Sequence, residues 1–332
     1  MKYGYSLVDA LILSAILAIT TSLSFPLIQQ ARETARSSHC ENRIVQIGLK
    51  SLLYETIHER LPSQLGARGA VDWNEWVGNS SSKDYYAYMQ NTSPLALLAN
   101  MEGTLRMAPE YFDFSTPRLN YYFTVTDGWQ SAFSMHREQY ICPSDFCNQT
   151  SDRALFAIQP VYNKDPQTED YLFLIYDQFG PGNVKRGFSN YAGCLGASTG
   201  GEQRAPSDFW QFRGMITSRE TVTTAEIAAA DGLSNSIMYG ESLGTVVNGN
   251  VELRATWIGG GLARGRGSTA WMAGGSPGNP MLGRPARSIV YGYGSAHPAG
   301  VRFVMGDGSV RTISRDTDVM SFYELCGAFD TQ

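Results

Sequence analysis

His297, Asp307, Asp231, Asn235 and Glu241 are the side chains of this sequence best suited to do chemistry, bringing one imidazole, three carboxylates and an amide into its C-terminal part. Carboxylate and amide oxygens on loops can coordinate a hard cation such as calcium, and that is the functional reading of the set. The competing reading is structural. Asp307-Gly308 would make a hairpin turn, Asp231-Gly232 would end a helix and His297 would hydrogen-bond a nearby loop, uses to which turn-forming Asp and Asn are routinely put. Apart from the calcium alternative, no cofactor is expected.

A second constellation imitates an enzyme. Gly196-Ala197-Ser198-Thr199-Gly200 fits Gly-x-Ser-x-Gly, and Asp231 and His297 follow it in the nucleophile, acid, base order of an α/β-hydrolase. Such an elbow must turn directly into a helix. Gly200-Gly201-Glu202-Gln203-Arg204-Ala205-Pro206 is poor helix material, and the strand and helix alternation of that fold is missing. No catalytic residue is assigned, and the chain is expected not to be an enzyme.

The five cysteines are Cys40, Cys142, Cys147, Cys194 and Cys326, and an odd number leaves at least one unpaired within a monomer. Cys142 and Cys147 are too widely spaced for a redox Cys-x-x-Cys, and no second pair completes a zinc framework. Two uses remain open, a local disulfide or a bridge from Cys142 to Cys40.

These residues need elements to hold them, and the first element is marked by charge. A lone acid, Asp9, stands at the mouth of an uncharged run, and 22 residues separate it from Arg32. That is enough for the roughly 20 residues of a bilayer-spanning helix. A carboxylate in hydrocarbon is costly and needs a partner. The basic leader and apolar run also fit an ordinary secretory signal or an uncleaved anchor, although no small-x-small cleavage site closes the run. Beyond Pro26, where a backbone hydrogen bond is lost and a kink is permitted, Val45, Leu49, Leu52, Leu53 and Ile57 recur at helical spacings. One helix over residues 5–61 is therefore expected, its first half in lipid and its second supporting a sheet.

From Pro62 onward the texture changes to short β-like runs. Strands are expected at 121–126, 171–176, 190–195, 236–239, 254–258, 301–305 and 309–313, with Gly306-Asp307-Gly308 turning the last two into a hairpin. Short helices are expected at 94–101 and 224–230, the latter opened by a Thr223-x-x-Glu226 capping box, and a long Gly, Pro and Arg loop at 259–285. The fold class is thus α+β, a long N-terminal spine helix packed on an antiparallel β-rich head. With 332 residues and 43% hydrophobic content the chain can bury a full core, and a net charge of −5 without a basic cluster argues against nucleic acid.

The N-terminus resembles a type IV prepilin or type II secretion pseudopilin leader: Gly4 and Tyr5 at the cleavage point, Asp9 at the fifth mature position and Pro26 at the twenty-second. The body is similar to a large family of prepilin-like proteins of planctomycete bacteria, known by its His-x9-Asp-Gly motif and as domain of unknown function 1559. Gln29-Gln30-Ala31-Arg32-Glu33, Cys40-Glu41-Asn42-Arg43, Cys142-Pro143-Ser144-Asp145, Ser189-Asn190-Tyr191, Asp231 to Asn235, Glu241, His297 and Asp307-Gly308 carry that resemblance. It implies a leader (1–4) removed by prepilin peptidase, N-methylation of Tyr5, a transmembrane spine (5–61) and an extracytoplasmic head (62–332). Asp9 would pair with the N-terminal amine of a neighbouring subunit. Pilin or pseudopilin subunits, the peptidase and the cytoplasmic membrane are the implied partners, and the implied product is a pilus, surface filament or secretion pseudopilus. Departures from the pattern are aspartate for glutamate at Asp9, tyrosine for phenylalanine at Tyr5 and the cysteines at 147, 194 and 326. The alternative is a membrane-tethered ligand-binding or adhesive module that does not polymerise.

Overall fold

The structure, a computed structural model, describes residues 6–62, 95, 98, 101, 137–145, 153–161, 171–178, 188–194, 196, 214–216, 222–243, 245–247, 250–255, 263–264, 282–283 and 293–328. Gly4, Tyr5, Cys147, Ser198, the expected strand 121–126 and most of the expected loop 259–285 lie outside them.

The first element is a single helix, α1 (Leu7–His58), of 52 residues and about 80 Å at 1.5 Å per residue. Ser6 opens it as an N-cap. The Ser6 hydroxyl accepts the Asp9 N–H at 3.2 Å while the Ser6 N–H donates to the Asp9 carboxylate at 3.0 Å, a reciprocal capping box that satisfies two otherwise orphaned donors. Within the apolar half, Thr20, Thr21 and Ser22 return their hydroxyls to carbonyls of the preceding turn, so their polarity is met inside the helix. α1 runs through Pro26 and stops where Glu59 takes a left-handed φ of 57° and donates to the Glu55 carbonyl.

Eleven strands follow among the described residues. They are β1 (Arg153–Val161), β2 (Tyr171–Gln178), β3 (Tyr191–Cys194), β4 (Ile237–Glu241), β5 (Thr245–Val247), β6 (Asn250–Ala255), β7 (Ala263–Arg264), β8 (Leu282–Gly283), β9 (Tyr293–Gly294), β10 (Val301–Met305) and β11 (Val310–Ile313). Helix α2 (Thr224–Ala229) precedes β4, and α3 (Val319–Cys326) follows β11. Five strands make the central sheet in the order β11-β10-β4-β3-β7, antiparallel except for the β3·β7 edge, and β2-β1-β6-β5 make a second sheet. Leu95, Leu98 and Met101, all within the expected helix 94–101, are helical.

Strand parity sets the layers, because successive side chains point to opposite faces. Along β10, Val304 meets α1 at Gly48, whereas Phe303 lies on the other face with its ring 5.6 Å from that of Phe322 in α3. Along β4, Tyr239 reaches Ser51 of α1 with a 3.0 Å hydrogen bond. The central sheet is therefore a slice between α1 and α3. Its α1 side continues into a core of Ile44, Ile47, Tyr54, Met215, Ile216 and Ile227.

The helical register of the spine corrects the sequence expectation. The face of α1 that meets the sheet carries Cys40, Ile44, Ile47, Gly48, Ser51 and Tyr54, whereas Leu49, Leu53 and Ile57 are 54%, 52% and 57% exposed. Small residues decide the phase. A Cβ on Gly48 would stand 2.6 Å from Val304 Cγ2, so the bare glycine is what lets helix and sheet close together, while Leu49, Leu53 and Ile57 turn outward.

Local signals elsewhere behave as their chemistry requires. Thr223 and Glu226 form the expected capping box, and the Gly232 N–H closes α2 on the Ile227 carbonyl. The β10–β11 hairpin has a three-residue loop in which only Gly308 takes positive φ, 84°, while Asp307 remains at negative φ.

Candidate functional site

The same parity that layers the sheet also assembles a polar cluster. Tyr191 in β3, Glu241 in β4 and Arg302 in β10 all occupy the α1 side, two residues or a whole strand removed from the apolar positions facing it. Opposite them α1 offers Glu33, Ser37, Cys40 and Glu41, spaced i, i+4, i+7 and i+8 and therefore on one helical face. His297 enters from the turn before β10, its N–H donating to the Ser295 hydroxyl at 3.1 Å.

His297 is the hub. Its Nδ1 lies 2.7 Å from Glu33 Oε1, and its Nε2 faces Cys142 Sγ at 3.4 Å and Glu241 Oε1 at 3.6 Å. A carboxylate has only acceptors, so the ring N–H at Nδ1 donates to Glu33. Glu241 Oε2 accepts the main-chain N–H of Arg302 at 3.1 Å, and the Arg302 guanidinium stands 3.5 Å from Oε1. The same guanidinium donates to the Ser37 hydroxyl and lies 3.9 Å from Glu41. Two more strands of the network leave from α1: Ser144 donates to Glu33 at 3.2 Å, and Arg43 donates to the Ile141 carbonyl.

A covalent bond backs the network. Cys40 and Cys142 form a disulfide with Cα atoms 5.2 Å apart, which decides between the two pairings left open by the sequence. Asn190 organises the segment carrying Cys142: its carbonyl accepts the Cys142 N–H at 2.9 Å, and its amide donates to Asp145 at 2.7 Å and to the Ser242 carbonyl at 3.2 Å. Tyr191 donates to the Cys40 carbonyl at 3.2 Å. Burial pushes the phenols of Tyr191 and Tyr239 well above their ordinary range, which keeps both neutral.

Of the sequence-selected residues, Cys40, Cys142, Asp145, Glu241 and His297 meet here. Asp231, Asn235, Asp307 and Gly308 do not. Asn235 donates to the Asp231 carbonyl beyond the end of α2, and Asp307 and Gly308 occupy the loop on the far side of β10 from His297. The set first considered for calcium is thus dispersed, because β10 itself separates its members. The loop partner expected for His297 is Cys142 at 3.4 Å, and Glu33 of the spine is a partner beyond that expectation. Ser37 and Arg302 carry no signal of their own in the sequence, and Glu33, Glu41 and Arg43 enter only through the family resemblance. The i, i+4, i+7, i+8 polar stripe interrupting an otherwise amphipathic helix is the signal that would have found the α1 half.

Cys40, Cys142, Glu241 and His297 bring ligand-type atoms within 4.8 Å of one another. Two thiolates, an imidazole and a carboxylate would suit zinc. With the sulfurs joined to each other those thiolates do not exist, and Glu241 is already engaged by Arg302. The arrangement as it stands is an ion network backed by a disulfide, and its chemistry is fastening.

Asp307 serves its own turn. The hydrogen bond from the Ser309 hydroxyl at 2.6 Å, aided by that from its N–H at 2.8 Å, holds the carboxyl below its ordinary range against the opposing effect of burial. A carboxyl depressed in the folded state adds stability above its unfolded value, near 3.8, and loses that contribution as pH falls through the folded value. Asp307→Asn is therefore expected to melt below the unchanged protein at pH 6, with the gap shrinking as pH falls below about 3.8. A gap independent of pH would assign the role of Asp307 to shape alone.

The helix α1 is long and apolar enough to cross a membrane, and its apolar window is 0% buried in the fold. No curated protein and no solved structure matches the chain. A family model does match, over residues 29–320, and it spans every member of the network from Glu33 to Arg302. The chain belongs to the family described as proteins of unknown function, DUF1559.

Proposed function

We propose that this protein is a membrane-anchored structural subunit of the pilin or pseudopilin type, cut by prepilin peptidase between Gly4 and Tyr5, N-methylated on Tyr5, and assembled through its spine helix. The observation that carries the proposal is the unity of spine and head. One helix begins as a bare apolar rod and ends fastened to the sheet by the Cys40–Cys142 disulfide and by the Glu33, His297, Glu241 and Arg302 network. A ligand-binding head on a simple tether would need no such fastening, whereas a subunit packed by its spine must keep its head in fixed register with it.

Two further features support assembly. Leu49, Leu53 and Ile57 form an exposed apolar stripe on the outer face of the spine beyond the membrane-length segment, a surface that a neighbouring spine would cover. Asp9 already caps its own helix, but a carboxylate has about four lone-pair sites, which leaves capacity for the amine of a neighbouring subunit. The role proposed is without catalysis, and the burial of His297 and Glu241, 1% and 2% exposed, supports it. The head would lie outside the cytoplasmic membrane.

The mature N-terminus of the native protein tests this by mass spectrometry. N-methylated Tyr5 is the expected result, lost when Gly4 is replaced. An intact Met1, or processing indifferent to a Gly4 substitution, would overturn the proposal.

A further inference from the structure

Helix α3 brings a second pair of cysteines together on the face of the central sheet away from the spine. Tyr191 points to α1, so by alternation Cys194, three residues on, points to α3. Their sulfurs are not bonded to each other in this structure: the Cys194 thiol donates at 3.5 Å to the carbonyl oxygen of Cys326, the last residue of α3, and both cysteines are 0% exposed. Their approach is fixed by independent packing. Phe322, one turn before Cys326, sits 5.6 Å from the Phe303 ring and 6.3 Å from the Tyr293 ring, and Tyr293 donates to the Gly193 carbonyl beside Cys194 at 3.1 Å. The aromatic wedge would seat α3 with its last turn over the end of β3 whatever the state of the sulfurs.

We propose that Cys194 and Cys326 form a second disulfide, one that closes the C-terminal helix onto the central sheet. The positions bracket a separation of 132 residues, so the bond joins parts of the head that the chain itself connects only through most of the fold. A buried thiol is ordinarily pushed up by desolvation, and that effect is present at Cys194. Contacts from the Cys326 side chain, Tyr293 and the Gly196 backbone nevertheless turn its net direction downward in the folded head.

The oxidant is a disulfide of the thiol–disulfide exchange class. The Cys194 thiolate attacks one sulfur of it, forming a mixed disulfide and releasing one thiol; the Cys326 thiolate then attacks the Cys194 sulfur and releases the second. Two protons from the protein thiols end on the two released thiols, and the oxidant gains two electrons. Because both sulfurs are covered in the folded head, the exchange precedes the docking of α3.

The compartment in which this occurs rests on the extracytoplasmic reading above; the pairing does not. The test has two arms on the full chain in detergent. Native protein is denatured in an alkylating reagent without reductant and mapped by mass spectrometry. Separately, reduced protein is refolded with oxidised glutathione and mapped in the same way. In both arms the expected map shows Cys40 linked to Cys142 and Cys194 linked to Cys326, leaving Cys147 alone to take the label. If glutathione forms both bonds but the native protein has neither, the pairing stands and the extracytoplasmic location falls. If Cys40–Cys142 is present while Cys194 and Cys326 are both alkylated in both arms, or if either is linked to Cys147, the proposal is overturned.

Discussion

Replacing Cys142 with serine is expected to cost the head about 4–5 kcal/mol and to lower its melting temperature by roughly 10 °C or more. The magnitude follows from the length of chain that the bond closes. Cys40 and Cys142 are 102 residues apart, and a cross-link over about 100 residues removes close to the largest loop-closure entropy a single disulfide can remove from an unfolded chain. The folded state loses something as well. Cys142 Sγ faces His297 Nε2 at 3.4 Å, and Tyr191 donates to the carbonyl of Cys40, so two hydrogen-bonded groups lose their fixed neighbour. Cys40→Ser should match Cys142→Ser, and the double variant should be no worse than either single one, because all three remove the same bond. Thermal unfolding of the full chain in detergent, followed by tryptophan fluorescence, checks this. A change within about 1 kcal/mol would mean that the ion network alone holds the spine to the head.

What could be read in advance was what is local. The uncharged run after Asp9 announces α1, since length and the absence of charge are properties of consecutive residues. Thr223 and Glu226 announce the start of α2, and Gly306-Asp307-Gly308 announces the β10–β11 turn, each within a few positions. The strands 171–176, 190–195, 236–239, 301–305 and 309–313 all fall on β2, β3, β4, β10 and β11 within a residue or two, and the expected strand 254–258 overlaps only the end of β6. β1, β5, β9 and α3 have no counterpart among the expected elements, and β7 and β8 fall inside the expected loop 259–285. β1 carries Pro160 near its end, a residue that argues against a strand when read alone, and α3 is too short to show a periodicity.

The buried face of α1 was unreadable for a different reason. Hydrophobicity ranks Leu49, Leu53 and Ile57 above Gly48 and Ser51, but the sheet selects for smallness at the point of closest approach, and nothing within the helix reports where β10 will cross it. The polar site failed to show itself in the same way. Glu33 and His297 are 264 residues apart, and Arg302 and Ser37 are 265 apart; only the alternation of β4 and β10 places Glu241 and Arg302 on the side that α1 will occupy. The residues singled out by their resemblance to a family come together only in part for this reason. A shared motif marks which residues matter and is silent on whether they act together, so Asp307 and His297, nine residues of spacer apart, proved to serve opposite ends of one strand.

Glu241→Ala is expected to have the second large effect, about 3–5 kcal/mol, because it strips one side of a buried ion pair and leaves the other. Arg302 is 5% exposed, and in the variant its guanidinium keeps only Ser37 and the distant, half-exposed Glu41, while its main-chain N–H loses the acceptor it has at 3.1 Å. His297 Nε2 loses the carboxylate it faces at 3.6 Å. Removing both charges together changes the sign of the argument. In Glu241→Leu combined with Arg302→Met no charge is left uncompensated, and the desolvation that both ions bear in the folded protein is relieved, so most of the lost stability should return. A double-mutant cycle separates these terms, since neighbours in one network are not additive. If the double variant is as stable as the unchanged protein, the pair contributes register more than stability, and the readout that should still move is the yield of the Cys40–Cys142 bond on refolding, which depends on α1 docking at the one position that brings Cys40 to Cys142. If Glu241→Ala costs less than about 1 kcal/mol, the network is too well hydrated to fasten the spine, and the disulfide must do so alone.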